Sequence, residues 1–421
     1  FHPELVSEAA SIAALEASSE GLRATFSPMI DVSRDPRWGR MMESFGEDPY
    51  VNGIMGKAMV DGYQQKADTG IAACLKHFAG YGAVNAGREY NDVEISRRTF
   101  LEQYVKPFRM ALKAKPAMVM TAFNAIDRKP ISGNKELLKG LLRDKEGFEG
   151  TVISDWGSIG QLEEQGVAAD MEEAAIQASE AGVDIDMMSP AYMLCLEKLV
   201  ESGKIPKAFV DESAFRVLMM KNQLGLFENP FAGLGKSGKL TLHNREKAYQ
   251  LAGESCVLLK NENEILPFDE NTVKNVAVVG PLSDVWYKDW YCGIPPYEVT
   301  VLDGIREAFP NAKISHETGL SEIRIRLADQ TSDKCYVGLD ENTRLKLVIK
   351  EQAETFILND WGCGSMTLVA KSNGRFVTLE EDTDIIKADK KEAFGWFVRE
   401  LWNLKWEKSS FTLESWNKKQ V

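Results

Sequence analysis

The sequence predicts an α/β protein: a TIM-like (β/α)8 barrel that is incomplete, then the start of an α/β sandwich, then a β-rich module. Three observations predict this class. Short apolar runs alternate with amphipathic stretches up to about residue 225, a loop rich in Gly and Pro follows, and from about residue 321 short alternating strands replace the helices. Serial βα units favour a parallel sheet, and this many in succession favour a barrel.

The barrel prediction depends on five apolar runs, each long enough for a buried strand. Helical patterns lie between them: one follows Asp48, an N-cap residue with Pro49 at the first helical position, and another follows Ser96. Five strands cannot close an eight-stranded barrel, and the first helix has no strand before it, so we expect the first βα unit or two to precede residue 1. The five runs are 24–31, 71–78, 117–124, 150–156 and 182–188.

The remaining domains follow from changes in this pattern. Residues 228–242 suit a linker, and 243–320 contain two helices and two strands of an α/β sandwich, which two strands alone cannot complete. Residues 321–421 form the β-rich module, with seven short strand candidates separated by turns. The predicted domains are therefore a barrel over 1–227, the linker, the partial sandwich and the module.

Composition excludes several classes of partner. The net charge of −13 disfavours nucleic acid and anionic membranes, and no apolar run approaches the length of a membrane span. The six cysteines form no CxxC pair, and Cys74 and Cys256 lie in apolar runs typical of a core, so we expect reduced thiols. With four histidines and no HExxH motif, we expect neither a metal nor a cofactor. Reduced cysteines favour a cytoplasmic location, which a leader peptide preceding residue 1 would reverse.

Four segments resemble glycoside hydrolase family 3 in residue identity, order and spacing: DVSRDPRWGRMMESFGEDPY, LKHFAGYG, MTAFN and GFEGTVISDWGS. LGLFENPF and ESCVLLKNENEILPF resemble the end of that family's barrel and the entry to its sandwich domain. The resemblance covers about residues 1–320. ETFILNDWGCGSMTLVAKSNGRFVT and AFGWFV are similar to a fascin-type β-trefoil insert found in some members. The resemblance implies a retaining exo-β-glycosidase that acts on an oligosaccharide or glycoside.

Asp155 is the candidate catalytic nucleophile. It follows the apolar strand VIS, so in a barrel it lies at the C-terminal rim, where TIM-barrel chemistry occurs. Retaining glycosidases use one carboxylate to attack the anomeric carbon, and the resemblance assigns that role to Asp155. The competing interpretation is an Asp that caps the next helix.

The resemblance also implies sugar-binding roles for Arg40, Lys76, His77 and Arg88. Charged donors bind vicinal hydroxyls strongly in a water-excluded pocket. Adjacent strand residues normally point to opposite faces, so Lys76 and His77 can both reach a sugar only where the strand is ending. For Lys76 and Arg88, pairing with a nearby carboxylate of Glu89, Asp92 or Glu94 is the alternative.

Three further residues complete the predicted site. Trp156, next to Asp155, would form an apolar wall for a sugar ring, although a Trp is more often part of a core. Met120 and Phe123 match positions near the nucleophile, with Phe123 where the family frequently has a tyrosine. Because Phe cannot hydrogen-bond a carboxylate, another donor is needed there or the pKa of Asp155 differs.

The resemblance leaves an essential partner unmatched. The family's general acid/base is a glutamate from the later sandwich region, and we expect it outside this chain, supplied by a further polypeptide segment; a homo-oligomer could also complete the fold. Two alternatives remain, and a third is disfavoured. A β-xylosidase differs in the space around C6 of the sugar, and a binding protein would lack turnover. A β-N-acetylglucosaminidase needs a histidine that AGYGAVNAGREYND lacks.

Overall fold

The computed structural model describes most of the chain in two compact units, Phe1–Leu258 and Leu259–Val421. The helix Leu242–Ser255 belongs to the first unit, where Asn244 donates to the Glu16 carboxylate at 2.6 Å. This division differs from the predicted boundaries in the placement of residues 243–258. The described residues are 2–66, 68–236, 242–286, 291, 295, 297–327, 332–361, 365–380, 383, 385–391, 400–407 and 410–415, without the side chains of 242–243 and 403–415.

Parallel strands form the centre of the first unit. The strands Cys74–Phe78, Met118–Thr121 and Thr151–Ile153 pair in sequence order. Parallel bridges extend this order at both sides, from Ala24 to Ala72, from Met29 to Lys76, and from Ile153 to Ile185. All five predicted strand segments therefore lie side by side, as in a TIM-like barrel.

Helices alternate with these strands. Asp48 caps Pro49–Gln64 by accepting the N–H groups of Tyr50 and Val51, as predicted. Ser96 also accepts an N–H at a helix start, but the helix there changes from α to π geometry at Phe100–Tyr104. The α-helices are Pro3–Ser19, Pro49–Gln64, Arg97–Thr99, Lys106–Ala111, Gln161–Glu164, Met171–Ala181, Ala191–Glu201, Lys207–Gln223 and Leu242–Ser255, with a second π-helix at Glu136–Lys145.

The two faces of the sheet pack into different clusters because strand side chains alternate. Leu75, Val119 and Val152 belong to the large cluster that includes the helices. Cys74, Met118, Met120 and Ile153 form a smaller cluster on the other face. Short strands at Asp92–Val93, Ala125–Ile126 and Lys129–Pro130 form a separate sheet.

The second unit begins as the sandwich prediction expects. The strands Asn275–Val279 and Lys313–Glu317 are parallel, and the helix Val301–Ala308 connects them. Thr300 and Asp303 form a capping box at the start of that helix, which satisfies two backbone N–H groups reciprocally.

Antiparallel strands follow, as predicted from residue 321 onward. Two strands were not predicted, Ile386–Lys390 and Trp402–Glu407, because their frequent charged residues obscure the apolar alternation. AFGWFV, at 393–398, lies outside the described residues. The strands are a hairpin of Tyr336–Leu339 with Leu345–Val348, and a sheet of Ser321–Ile323, Phe356–Asp360, Ser365–Ala370, Arg375–Leu379, Ile386–Lys390, Trp402–Glu407 and Ser410–Ser415.

One core prediction is wrong. Cys74 is buried, but Cys256 is exposed, because the apolar run from Val257 to Leu259 follows the helix end as an exposed extended segment. Cys74, Cys195, Cys256 and Cys335 are free thiols. Among the described residues, no helix is both long and apolar enough to cross a membrane.

Candidate active site

Asp155 lies at the carboxyl end of the strand Thr151–Ile153 and is buried, with 7% of its surface exposed. Its Oδ1 accepts the backbone N–H of Trp156 at 2.6 Å. Its Oδ2 is buried and has no hydrogen-bond partner among the described residues. The next helix, Gln161–Glu164, has no side-chain cap, so the structure does not place Asp155 in the competing role of helix cap.

His77 faces this oxygen. Its Nε2 lies 3.4 Å from Asp155 Oδ2, and its Nδ1 lies 2.7 Å from Oδ2 of Asp31. The same Asp31 oxygen accepts the backbone N–H of His77 at 3.0 Å. Burial raises the pKa of Asp31 to about 7, against the opposing effects of the His77 N–H, Arg40 and Lys76. Burial also lowers the pKa of the His77 imidazole well below its ordinary value.

Lys76 and Arg40 meet at Glu43. Arg40 makes a two-point ion pair with Glu43, with Nε and Nη2 at 2.7 and 3.0 Å from the two carboxylate oxygens. Lys76 Nζ lies 3.7 Å from the same carboxylate. Lys76 therefore pairs with Glu43, not with the acids considered from the sequence. Burial, followed by the charge of Arg40, lowers the pKa of Lys76.

Lys76 and His77 are adjacent, yet both reach this polar cluster. The pairing between Cys74–Phe78 and Met118–Thr121 shifts register between Leu75 and Phe78, so the regular alternation of side chains is interrupted there. The interruption fits the expectation that both side chains serve one site only where the strand is ending.

Tyr81 lies between the charged residues and the rings of Phe123 and Tyr90, and the three aromatic side chains form one wall of the site. The Tyr81 ring lies 5.1 Å from the His77 ring and 5.6 Å from the Arg40 guanidinium, centroid distances typical of edge and cation–π contacts. Its hydroxyl donates to Glu89. Burial raises the pKa of Glu89 to about 7. Phe123 packs on Tyr81 at 5.8 Å and on Tyr90 at 4.7 Å, so Phe123 lies in this wall.

The other predicted residues have different surroundings. The Trp156 side chain is 55% exposed and borders an open depression lined by Gly160, Gln161 and Ser189. Met120 packs in the small apolar cluster with Cys74 and Ile153. Arg88 is exposed. The binding roles of these three residues stay predictions.

Five residues of the cluster were not selected as site residues from the sequence: Asp31, Glu43, Tyr81, Glu89 and Tyr90. Asp31 directly follows the apolar run ATFSPMI, which is the same strand-end signal that selects Asp155. Tyr81, Glu89 and Tyr90 follow the strand Cys74–Phe78 within twelve residues, in turns whose direction no periodicity indicates. Burial raises the pKa of Tyr90, and the negative charges of Glu89 and then Asp155 raise it further.

Comparison with known proteins identifies the family of this chain. Residues 1–220 match the family described as "Glycosyl hydrolase family 3 N terminal domain", and residues 256–393 match its C-terminal domain. The chain is 40% identical over 335 residues to the periplasmic β-glucosidase of Salmonella typhimurium, covering 76% of this chain and 43% of that protein. It is 34% identical over 351 residues to a β-xylosidase of Formosa agariphila, covering 76% and 48%.

A solved structure extends the likeness to the fold. The crystal structure of β-glucosidase from Listeria innocua in complex with glucose has a TM-score of 0.70 and 41% identity to this chain, and covers 78% of this chain and 46% of that one. The chain belongs to glycoside hydrolase family 3. It spans a little under half the length of these relatives.

Proposed function

We propose that this chain carries the nucleophile and the sugar-binding residues of a retaining exo-β-glycosidase that releases non-reducing terminal β-D-glucosyl residues. One observation carries the proposal: the buried Oδ2 of Asp155, without a hydrogen-bond partner among the described residues, faces His77, and the cation Lys76 acts electrostatically on Asp155. A carboxylate so placed can attack an anomeric carbon while the cations bind hydroxyls. The glucosidases among the relatives support the choice of sugar.

The reaction would proceed through a covalent ester. Asp155 displaces the leaving oxygen and bonds to the anomeric carbon, and water then displaces Asp155, so that two inversions give net retention. A second carboxyl must protonate the leaving oxygen. We propose that it is a glutamate outside these 421 residues, on a longer polypeptide in which the module 321–421 is a trefoil-like insert within the sandwich domain. Restoring flanking sequence should then raise turnover of poorly activated substrates.

Mechanism-based labelling tests the nucleophile. A 2-deoxy-2-fluoro-glucoside with a good leaving group needs little acid assistance, so it should esterify Asp155 without the acid/base. Peptide mass mapping should place the label on the peptide containing Asp155, and Asp155→Asn should abolish it. A label on another peptide would refute the assignment to Asp155. No label, with and without flanking sequence, would refute it and favour a binding protein.

A β-xylosidase is the second candidate, because xylosidases are among the relatives at similar coverage. Glucose and xylose differ only in the C6 hydroxymethyl group. Parallel labelling with the 2-fluoro-xyloside separates the two, since a glucosidase should label faster with the glucoside. The reverse preference would replace the proposed substrate while keeping the nucleophile.

A further inference from the structure

Asp31 is the most deeply placed acid of the site, and catalysis by Asp155 alone does not require it. Its side chain and that of His77 are each 1% exposed. A single oxygen, Oδ2, accepts the His77 backbone N–H and contacts Nδ1 of the ring. The other ring nitrogen, Nε2, lies 3.4 Å from the unpartnered oxygen of Asp155. Asp31, His77 and Asp155 therefore form one continuous chain of contacts.

The position of the ring proton decides what His77 does to Asp155. If Asp31 is ionised and the ring is neutral, the proton occupies Nδ1, and Nε2 turns a lone pair toward a carboxylate oxygen. Two acceptors then face each other in a buried site, which is unfavourable. One additional proton, on the ring or on Asp31, allows Nε2 to carry a hydrogen and donate to Asp155.

The surrounding charges favour that additional proton. The ionisable groups that act on His77 and Asp31 are Arg40, Lys76, Glu43, Glu89 and Asp155. The four carboxyl groups of Asp31, Glu43, Glu89 and Asp155 outnumber the two cations by two. The pKa of Glu89, raised to about 7, lets that carboxyl hold one proton, so one further proton balances the cluster. The Tyr81 ring closes one side of His77 with its edge and contributes no charge.

We propose that Asp31 is a positioning residue for the nucleophile, sharing one proton with His77 so that Nε2 donates a hydrogen bond to Asp155. The inference rests on the proposed role of Asp155. Such a donor keeps the nucleophile ionised and stabilises it again as the leaving group when the ester is hydrolysed. The raised pKa of Asp31, about 7, agrees with a carboxyl that holds a proton near neutral pH.

Asp31→Asn is the informative variant. The atom at the Oδ2 position accepts a backbone N–H, so asparagine must place its oxygen there and cannot offer a hydrogen to Nδ1. The ring then keeps its proton on Nδ1, and no ionisable group remains at residue 31 to share another. Ser44→Ala is the matched control, because Ser44 donates to the Asp31 backbone carbonyl and changes no proton.

¹⁵N NMR of the protein labelled with ¹⁵N-histidine measures directly whether Nε2 of His77 carries a proton, and the measurement does not require turnover. The chain has only four histidines, so His77→Gln assigns the signal. Nε2 of His77 should be protonated at about pH 6 and lose its proton as the pH rises through about 7, in wild type and in Ser44→Ala. In Asp31→Asn it should stay unprotonated throughout. Identical titrations in wild type and Asp31→Asn would overturn the proposal.

The labelling rate with the 2-fluoro-glucoside connects the proton to chemistry. The labelling rate of wild type should fall as the pH rises above about 7. At about pH 6 the labelling rate of Asp31→Asn should be roughly tenfold lower than that of wild type, because a hydrogen bond to a charged group is lost. The rate of Asp31→Asn should not show the fall above about pH 7, the alkaline limb. An alkaline limb that persists in Asp31→Asn would overturn the positioning role. Failure of Asp155 to label in wild type would instead refute the proposed function, and the NMR titration would still decide whether Asp31 and His77 share a proton.

Discussion

Glu43 holds the Arg40 guanidinium through two hydrogen bonds, 2.7 and 3.0 Å long, and the two side chains are equally shielded, each 15% exposed. Glu43 follows Arg40 by three residues, so this ion pair is local in the chain. The same carboxylate also faces Lys76. Glu43 therefore organises both cations expected to bind the sugar.

Replacing Glu43 by Gln should weaken sugar binding. Gln keeps the shape but removes the charge that orients Arg40, so the half-saturating concentration of the 2-fluoro-glucoside should rise roughly tenfold with little change in the limiting labelling rate. Glu47→Gln is the control, because Arg34 bonds the Glu47 backbone carbonyl and not its side chain. Equal saturation curves for Glu43→Gln and wild type would contradict this role.

Glu89 should make stability depend on pH. Its folded pKa is raised by burial to about 7 from an ordinary 4.5, so folding stability should fall as the pH rises from about 4.5 through 7. Residue 89 cannot ionise in Glu89→Gln. The free energy of unfolding of this variant, relative to that of wild type, should therefore increase over that pH range by on the order of 1 kcal/mol after solvent screening.

Urea denaturation across this pH range measures the gain. Tyr81→Phe is the control, because it removes the phenol that donates to Glu89 and leaves the buried carboxyl in place. The pH dependence should persist in Tyr81→Phe. A constant difference between Glu89→Gln and wild type at every pH would show that Glu89 does not ionise in this range.

Asp184 and Asp186 lie on either side of Ile185, which bridges to Ile153, but replacing each should cost a different amount of unfolding free energy. Asp184 accepts from Arg143 at 2.7 Å, from Arg216 at 2.9 Å and from the Val152 N–H at 2.8 Å. Asp184→Asn leaves buried guanidinium charge uncompensated and should cost about 3–5 kcal/mol of unfolding free energy.

Asp186→Asn supplies the matched comparison, since Asp186 accepts from Ser189 and from the Tyr192 N–H at the start of Ala191–Glu201. Asparagine keeps an acceptor oxygen for one of these bonds, so this substitution should cost at most about 1 kcal/mol. Chemical denaturation of both variants checks the ranking. An equal cost for the two would mean that the arginine pairs on Asp184 contribute little.

Gly62 allows Pro49–Gln64 to approach Pro3–Ser19. A Cβ at residue 62 would lie 2.2 Å from the Ser7 carbonyl oxygen and 2.7 Å from Ala10 Cβ, so Gly62→Ala should separate the helices and destabilise the protein by a few kcal/mol. Gly140→Ala is the control, because a Cβ there meets nothing within 4 Å and should stabilise by about 0.5 kcal/mol. Thermal unfolding compares them, and an unchanged Tm for Gly62→Ala would refute the steric argument.

Much of the fold was predictable because its signals are local. Each apolar run from 24–31 to 182–188 became part of the parallel sheet, since a buried strand needs consecutive apolar residues. The cap at Asp48 and the βαβ unit around Val301–Ala308 follow from equally local chemistry. Strands rich in charge, such as Ile386–Lys390, could not be predicted, because only neighbouring strands define their buried face.

The sequence by itself determined which residues lie near strand ends, and its resemblance to glycoside hydrolase family 3 selected Asp155, Lys76 and His77 among them. The tertiary structure alone decided that Asp31, 46 residues before His77, holds the His77 ring, and that Glu43 joins Arg40 to Lys76. The physical reason is that strand periodicity reports burial along the chain. Contacts between residues from separate loops depend on the sheet order that brings strand ends together, which no local pattern encodes.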